Sequence, residues 1–266
     1  MPSPSNDPYG AIAEWYDVEH NAHTEDLECY LSLIAGMHEG PARLLEIGSG
    51  TGRIQAALAL AGHHVTGVEP STAMRARAHL RCASLPQRVA RRIRTLDGSA
   101  TRLPLAADDE TFDVALFGLN TFAHLLARDE RQLALTLARK HLMPGGALIL
   151  DLDLSGPRRL RAAAGHVLWQ GTWPIEPAGS ELSHFVAAMP DGPPGTLRVM
   201  HFYDVSARGG GVHRTSAAMS LALLGHGEMA QALEAAGFES VAVYGSHDLT
   251  GFEEGSPRAL YVARAP

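Results

Sequence analysis

Leu44-Leu45-Glu46-Ile47-Gly48-Ser49-Gly50-Thr51-Gly52-Arg53 runs from an apolar strand through a carboxylate and three alternate glycines into a helix carrying Ile54, Leu58 and Ala61 on one face. Glycines at such a turn let the backbone take φ > 0 and come close to a ligand. The next strand, Val65-Thr66-Gly67-Val68-Glu69, ends in a second acid, 21 residues after Gly48. That distance suits a ribose diol. The stretch therefore predicts a parallel α/β sheet with a nucleoside site at its mouth.

Two cofactor classes compete for the site. A dinucleotide turn reads G-x-G-x-x-G and seats a pyrophosphate on the helix N-terminus. Here Arg53 stands where the last glycine should be, and Gly52 comes one residue early. Glu46 would repel a pyrophosphate but suits an ammonium group. No Lys-Ser/Thr pair follows the glycines, which argues against a P-loop. S-adenosylmethionine, with an amino group, a ribose and no phosphate, fits all three observations.

The chain resembles the class I S-adenosylmethionine-dependent methyltransferases over most of its length, in particular the small-molecule N-methyltransferases of secondary metabolism, including those acting on aminosugars. Glu46 to Gly52 matches the family's first motif and Glu69 its ribose acid. Asp97-Gly98-Ser99, after a short strand from Arg92 to Leu96, matches the loop that meets the adenine amine. Phe112 to Phe117, followed by Gly118-Leu119-Asn120, matches the fourth strand and its substrate-facing loop. Leu142-Met143-Pro144-Gly145-Gly146 leading to Leu150 matches the turn into the fifth strand. The resemblance implies that Tyr9, Tyr16, Glu46, Gly48, Gly50, Gly52, Arg53, Glu69, Pro70, Met74, Asp97, Gly98, Ser99, Phe117 and Leu119 bind S-adenosylmethionine, which leaves as S-adenosylhomocysteine.

The 266 residues are 45% hydrophobic and 19% charged, ordinary for a soluble α/β protein. No apolar run approaches a membrane span, and the stretch Met1 to Pro8 is polar. Two cysteines, Cys29 and Cys82, make no disulfide framework, so a reducing cytoplasm is the default expectation. A formal net charge of −7 argues against a general nucleic-acid binder. Seven arginines between Arg75 and Arg94 read as a solvated helix face, because no aromatic residues interleave them.

Strands alternating with helical patterns from Arg43 to Asp153 predict a doubly wound, mostly parallel, seven-stranded Rossmann-like sheet. Tyr9 to Asp17 and Thr24 to Met37 read as helices of an N-terminal cap over residues 1–40. After the fifth strand the period changes to two. Segments near Val167–Ile175, Glu181–Met189, Thr196–Val205 and Val212–Leu223, separated by turns such as Asp191 to Gly195 and Arg208 to Gly211, predict an antiparallel insertion. The division expected is residues 41–156 and 225–266 as cofactor-binding core, with 157–224 covering the acceptor site. The core resumes with a helix from Gly227 to Ala236 and strands at Ser240–Tyr244 and Arg258–Arg264. Glycine-rich edges and the antiparallel insertion could support a homodimer.

In-line transfer of a methyl group needs an acceptor held at attack distance, water kept out and a base near the working pH. His124, just past the fourth strand, is the candidate base, since imidazole titrates in that range. Its loop resembles those placing a histidine near the acceptor amine, so nitrogen is preferred over oxygen. Tyr16 is a second catalytic candidate, because the resemblance implies a capping tyrosine that closes on the cofactor or acceptor. Asn120, His201, Tyr203 and Arg214 are candidate acceptor contacts, and period two puts His201 and Tyr203 on one strand face. Asp151 and Asp153 fall short of an oxygen shell, so no metal is expected. His63-His64 reads as a surface feature. The fourth-strand loop lacks the paired prolines of base-amine methyltransferases, which argues against nucleic acid. The alternatives are a macromolecular acceptor on the same fold, or a non-catalytic binder of S-adenosylmethionine.

Overall fold

The structure, a computed structural model, describes residues 7–105, 110–175, 179–189, 194–206 and 210–266. The expected polar start and the turns at 191–195 and 208–211 lie partly outside the described residues. Two helices lead, α1 (Ala13–His20) and α2 (Glu25–Met37). The alternating stretch follows: β1 (Arg43–Ile47), α3 (Arg53–Leu60), β2 (His64–Glu69), α4 (Thr72–Ser84), α5 (Gln87–Ala90), β3 (Ile93–Asp97), β4 (Phe112–Phe117), a 3₁₀ turn (Thr121–His124), α6 (Arg128–Lys140) and β5 (Leu142–Asp153). Next come α7 (Ser155–Ala162), the strands β6 (Val167–Ile175), β7 (Ser180–Met189), β8 (Thr196–Ser206) and β9 (Val212–Ala222), then α8 (His226–Ala235), β10 (Glu239–Tyr244) and β11 (Arg258–Arg264). The first helix starts four residues later than expected, because residues 8–12 form turns instead.

Seven strands make one sheet in the order β3-β2-β1-β4-β5-β11-β10, with β11 antiparallel to both neighbours. Helices cover both faces, so successive core residues are buried on opposite sides, as a parallel sheet requires. Leu44, Val65, Leu116 and Ile149 pack with Tyr30, Ile34, Ile54 and Leu58 on the α2/α3 side. Leu45, Phe117, Leu148 and Leu150 pack with Ala134, Leu135, Met229 and Leu233 on the α6/α8 side. The registers Ile47↔Val68 and Glu69↔Asp97 bring the carboxyl ends of β1, β2 and β3 level. Ligands of such sheets bind outside those ends.

The strands β6 to β9 form a second, antiparallel meander. Leu182, His184, Tyr203, Ala217 and Met219 lie on its buried face, and Ile12, Trp15 and Val18 of the α1 region pack against that face. On the other side, α1 is tied to the glycine turn by the Thr51 hydroxyl, which donates to Asp17 Oδ1 at 2.6 Å. Arg81 Nη2 donates to the same oxygen at 2.7 Å, and Arg77 Nε to Oδ2 at 3.2 Å. The first helix is therefore clamped between the glycine turn and the second sheet. This corrects the reading of the arginine-rich segment: five of its guanidiniums dock structure, Arg92 on the Ala59 carbonyl and Arg94 on Glu110 among them. Arg77 and Arg81 hold α1, and Arg75 holds the carbonyls of Glu69 and Pro70. His63 is likewise no surface feature, since it is buried and its Nδ1 accepts the Ala42 N–H at 3.1 Å.

Candidate active site

A cavity of about 340 Å³ opens at the carboxyl ends of β1, β2 and β4 beneath the N-terminal segment. Its floor is the glycine turn. Gly48 and Gly50 take φ of 78° and 54°, a left-handed conformation that costs other residues roughly 1–2 kcal/mol. A methyl group on Gly48 would also run into the Thr121 side chain. The turn can thus lie directly under a ligand and against the 3₁₀ turn.

Two acids face this floor. Glu69 accepts the Gly50 N–H at 2.9 Å and the Ser71 N–H at 2.8 Å, so both oxygens are fixed in place. Burial raises its carboxyl above the usual range, and these two hydrogen bonds hold the rise down. Glu46 is almost wholly buried, and among the described residues neither its Oε2 nor Ser49 Oγ has a hydrogen-bond partner. Burial pushes the Glu46 carboxyl far up despite nearby Arg53. Orphaned buried polar atoms call for a partner. A ligand ammonium would supply one for Glu46 and favour its ionised form. The residues present therefore fit S-adenosylmethionine: Glu46 for the ammonium, Glu69 for the ribose, glycines where the backbone must approach.

The far end of the cavity is aromatic. The Tyr9 hydroxyl and His124 Nε2 lie 2.9 Å apart, and the Tyr9 ring meets Tyr16 edge-on at 6.3 Å. Tyr16 stacks on His20 at 4.0 Å. Burial pushes both phenols up, so they stay neutral, and pushes His124 down to about 4. The N-terminal segment is anchored there by Asp7, which accepts the Ser71 hydroxyl at 2.7 Å and the Tyr9 N–H at 3.1 Å.

Below the 3₁₀ turn, Leu119 and Asn120 take φ of 44° and 65°, two consecutive non-glycine residues in the left-handed region. Such strain persists only where surrounding structure over-determines it. Here the Leu119 N–H donates to the Tyr30 hydroxyl at 3.2 Å, and that hydroxyl donates to Asp151 at 2.5 Å. Asp151, fully buried, also accepts from His247 Nε2 at 2.9 Å and Arg258 Nε at 2.8 Å. Burial would raise its carboxyl, but these partners outweigh that and hold it low. Its oxygens are thus committed to a clamp on the loop.

Among the residues expected at the cofactor, Tyr9, Tyr16, Glu46, Gly48, Gly50, Arg53, Glu69, Pro70, Met74, Ser99 and Leu119 line the cavity. Arg53 contributes through charge, since its guanidinium is bound to Asp26 and to the His23 carbonyl. Four others do not line it. Gly52 caps α3 against Ala78. The Asp97 carboxylate is 65% exposed and pairs with Arg75 at 3.1 Å, leaving Ser99 and Ala100 at that end of the cavity. Gly98 lacks room for a side chain beside Pro104, and Phe117 is core, edge-on to Phe122 at 5.2 Å.

Of the acceptor candidates only His124 lines this cavity. Asn120 faces a second cavity of about 230 Å³ across the 3₁₀ turn, its Oδ1 accepting the Asp153 N–H. Arg214 lies on the outer face of the second sheet, gripping Asp204 with two 2.6 Å hydrogen bonds and covering the Phe202 ring. Tyr203 donates to Glu19 at 3.0 Å, and His201 joins His184 at 3.0 Å. Ser71, absent from the sequence reading, caps α4 by accepting the Met74 N–H, and a serine after Glu69-Pro70 is the signal that could have found it. Asp7, Glu19, Tyr30 and His184 carry no local signal, because their partners lie far along the chain.

The methyltransferase-domain family matches residues 45–150. No curated protein matches the chain. Among solved structures, the CcbJ methyltransferase from Streptomyces caelestis is 27% identical, with 97% of this chain and 98% of that one covered and a TM-score of 0.78. The S-adenosylmethionine-bound CalS10 amino pentose methyltransferase from Micromonospora echinaspora is 24% identical over 95% of each chain, with a TM-score of 0.71. The sugar N-methyltransferase KedS8 from Streptoalloteichus is 22% identical over 99% and 96%, with a TM-score of 0.74. Motif order, cavity and domain match converge: residues 45–150 match a methyltransferase domain, and the chain is similar along its length to S-adenosylmethionine-dependent methyltransferases.

Proposed function

We propose that the enzyme N-methylates a small, amine-bearing acceptor of the aminosugar kind in secondary metabolism. The observation that carries this is the buried Tyr9–His124 pair at the end of the cavity. With His124 pushed to about 4, its imidazole is neutral and a weak base, not the near-neutral base the sequence suggests. It can accept a hydrogen bond from an amine but is poorly matched to stripping a hydroxyl. An amine is already a nucleophile when neutral. A buried site beside a positive sulfonium favours that neutral form. The amino pentose and sugar N-methyltransferases among the similar structures support the same reading.

S-adenosylmethionine supplies the methyl group there: the acceptor lone pair forms the new bond in line as the carbon–sulfur pair stays with sulfur. Glu46, Glu69 and the glycine turn would hold its ammonium and ribose. Tyr9, Tyr16 and His124 shape the acceptor end, and Tyr16 is proposed to orient and exclude water. The second sheet, within residues 157–224, roofs that end, while the described part of residues 1–40 caps it. Val167, Trp169, Met189 and Val212 stand exposed on or beside that sheet, which supports a homodimer through it. A cytoplasmic setting agrees with two free cysteines and with no described helix being able to cross a membrane.

The test is turnover against matched aminosugar and hydroxyl panels, with methylated products read by mass spectrometry. Methylation confined to hydroxyl compounds would remove the amine reading. Replacing His124 by alanine should raise the acceptor KM and leave S-adenosylhomocysteine binding intact.

A further inference from the structure

Glu19 on α1 and His184 and His201 on adjacent strands form a continuous hydrogen-bonded row. His184 Nδ1 lies 3.0 Å from Glu19 Oε1, and His184 Nε2 lies 3.0 Å from His201 Nδ1. The two imidazoles lie nearly parallel, at 14°, with centroids 5.2 Å apart, and Tyr203 stacks on His184 at 4.2 Å. Tyr203 also donates to Glu19 Oε2. His184 is buried, and His201 Nε2 makes no hydrogen bond among the described residues. The row ends beside the aromatic end of the cavity: Tyr9, which meets His124, packs in one cluster with Tyr203 and with Ala217, the strand partner of His201.

We infer that Glu19, His184 and His201 form a hydrogen-bond chain of fixed direction that presents a bare lone pair at His201 Nε2 to the N–H of the methyl acceptor. The inference rests on the amine reading above and adds the group that grips the nitrogen. A carboxylate can only accept, so His184 donates from Nδ1, and with one ring proton its Nε2 is the acceptor. His201 must then donate from Nδ1, which leaves Nε2 bare. Burial alone would raise the Glu19 carboxyl, but His184, Tyr203 and His20 outweigh it and hold it ionised. Burial pushes His201 down to about 4, so the terminal ring is neutral at working pH.

The row does two things for the reaction. It turns the acceptor so that one N–H points at His201 and the lone pair points elsewhere. As positive charge grows on nitrogen, the carboxylate at the far end polarises each bond of the row toward it. The charged and titratable groups acting on His201 are Glu19 and His20 on α1, His124 and His184, with Tyr203 stacked on His184. A proton gained at His201 would turn its Nε2 into a donor, so the grip is lost as pH falls toward 4.

The test joins nitrogen NMR of labelled histidines with kinetics. In the wild type, His201 and His184 should each show a protonated Nδ1 and a bare Nε2, without any acceptor present. Glu19→Gln, which can donate as well as accept, should blur that pattern and move the acidic limb of kcat/KM, while His201→Phe should lower kcat/KM by about 10²-fold. S-adenosylhomocysteine affinity should stay the same in both variants. A protonated Nε2 on wild-type His201, or a His201→Phe enzyme with unchanged kcat/KM, overturns the inference. Turnover of hydroxyl compounds alone would refute the amine reading separately, and His201→Phe assayed on those compounds would still decide whether the row grips the acceptor.

Discussion

Replacing Tyr30 by phenylalanine isolates the clamp on the strained loop after β4. The substitution removes one oxygen from a fully buried side chain. That oxygen makes a 2.5 Å bond to the buried Asp151 carboxylate and receives the Leu119 N–H at 3.2 Å. A hydrogen bond to a charged group contributes about 1.5–3 kcal/mol, and an orphaned buried N–H costs about 1–3 kcal/mol, softened if water reaches it. Asp151 keeps His247 and Arg258, so its charge stays compensated. The expected loss is about 3 kcal/mol, survivable for a domain of ordinary stability. With the Leu119 N–H released, Leu119 and Asn120 can leave φ of 44° and 65°. The wall of the acceptor end then loosens, while the Gly48–Gly50 floor is untouched. Urea unfolding at neutral pH should report the loss. Calorimetry should show S-adenosylhomocysteine affinity nearly unchanged, and kinetics a raised acceptor KM. In an Asp151→Asn background the same substitution should cost clearly less, because the charged partner is gone. A loss below about 0.5 kcal/mol with an unaltered KM would refute the clamp.

Gly48→Ala should abolish measurable S-adenosylhomocysteine binding, through both a left-handed φ and the collision with Thr121; pairing it with Thr121→Ala should restore part of the affinity, and no restoration would mean the collision is irrelevant. His124, near 4 in the fold and near 6.5 unfolded, takes up a proton on unfolding. Its stability contribution is full above pH 6.5 and is lost as pH falls toward 4, by about 3 kcal/mol, so urea midpoints of wild type and His124→Asn should converge on acidification. Trp169→Glu should shift a dimer to monomer in sedimentation without changing S-adenosylhomocysteine affinity; a wild-type monomer would end the dimer proposal.

Much of the fold was legible because its signals are local. The parallel core announces itself through buried runs ending in Glu46 and Glu69, and the second sheet through period-two segments between glycine-rich turns. Those strands fall within one or two residues of expectation, since turn chemistry bounds them. The boundary of α1 was less legible, because residues 8–12 are held by Asp7 and by packing on the second sheet. The arginine face on α4 looked solvated because charge alone does not reveal the carboxylate it will meet.

The cofactor floor is written in local sequence. A turn that needs left-handed backbone at Gly48 and Gly50, with an acid before it and another a strand later, is a requirement of a few adjacent φ angles and two strand ends. Tertiary structure decided the acceptor end. It turned Arg214 to the outer sheet face, buried Tyr203 against Glu19 and moved Asn120 to another cavity. It also joined Glu19 to His184 across 165 residues and Tyr30 to Asp151 across 121. Such pairs are chosen by which surfaces pack, and burial then sets their protonation, neither of which a local pattern encodes.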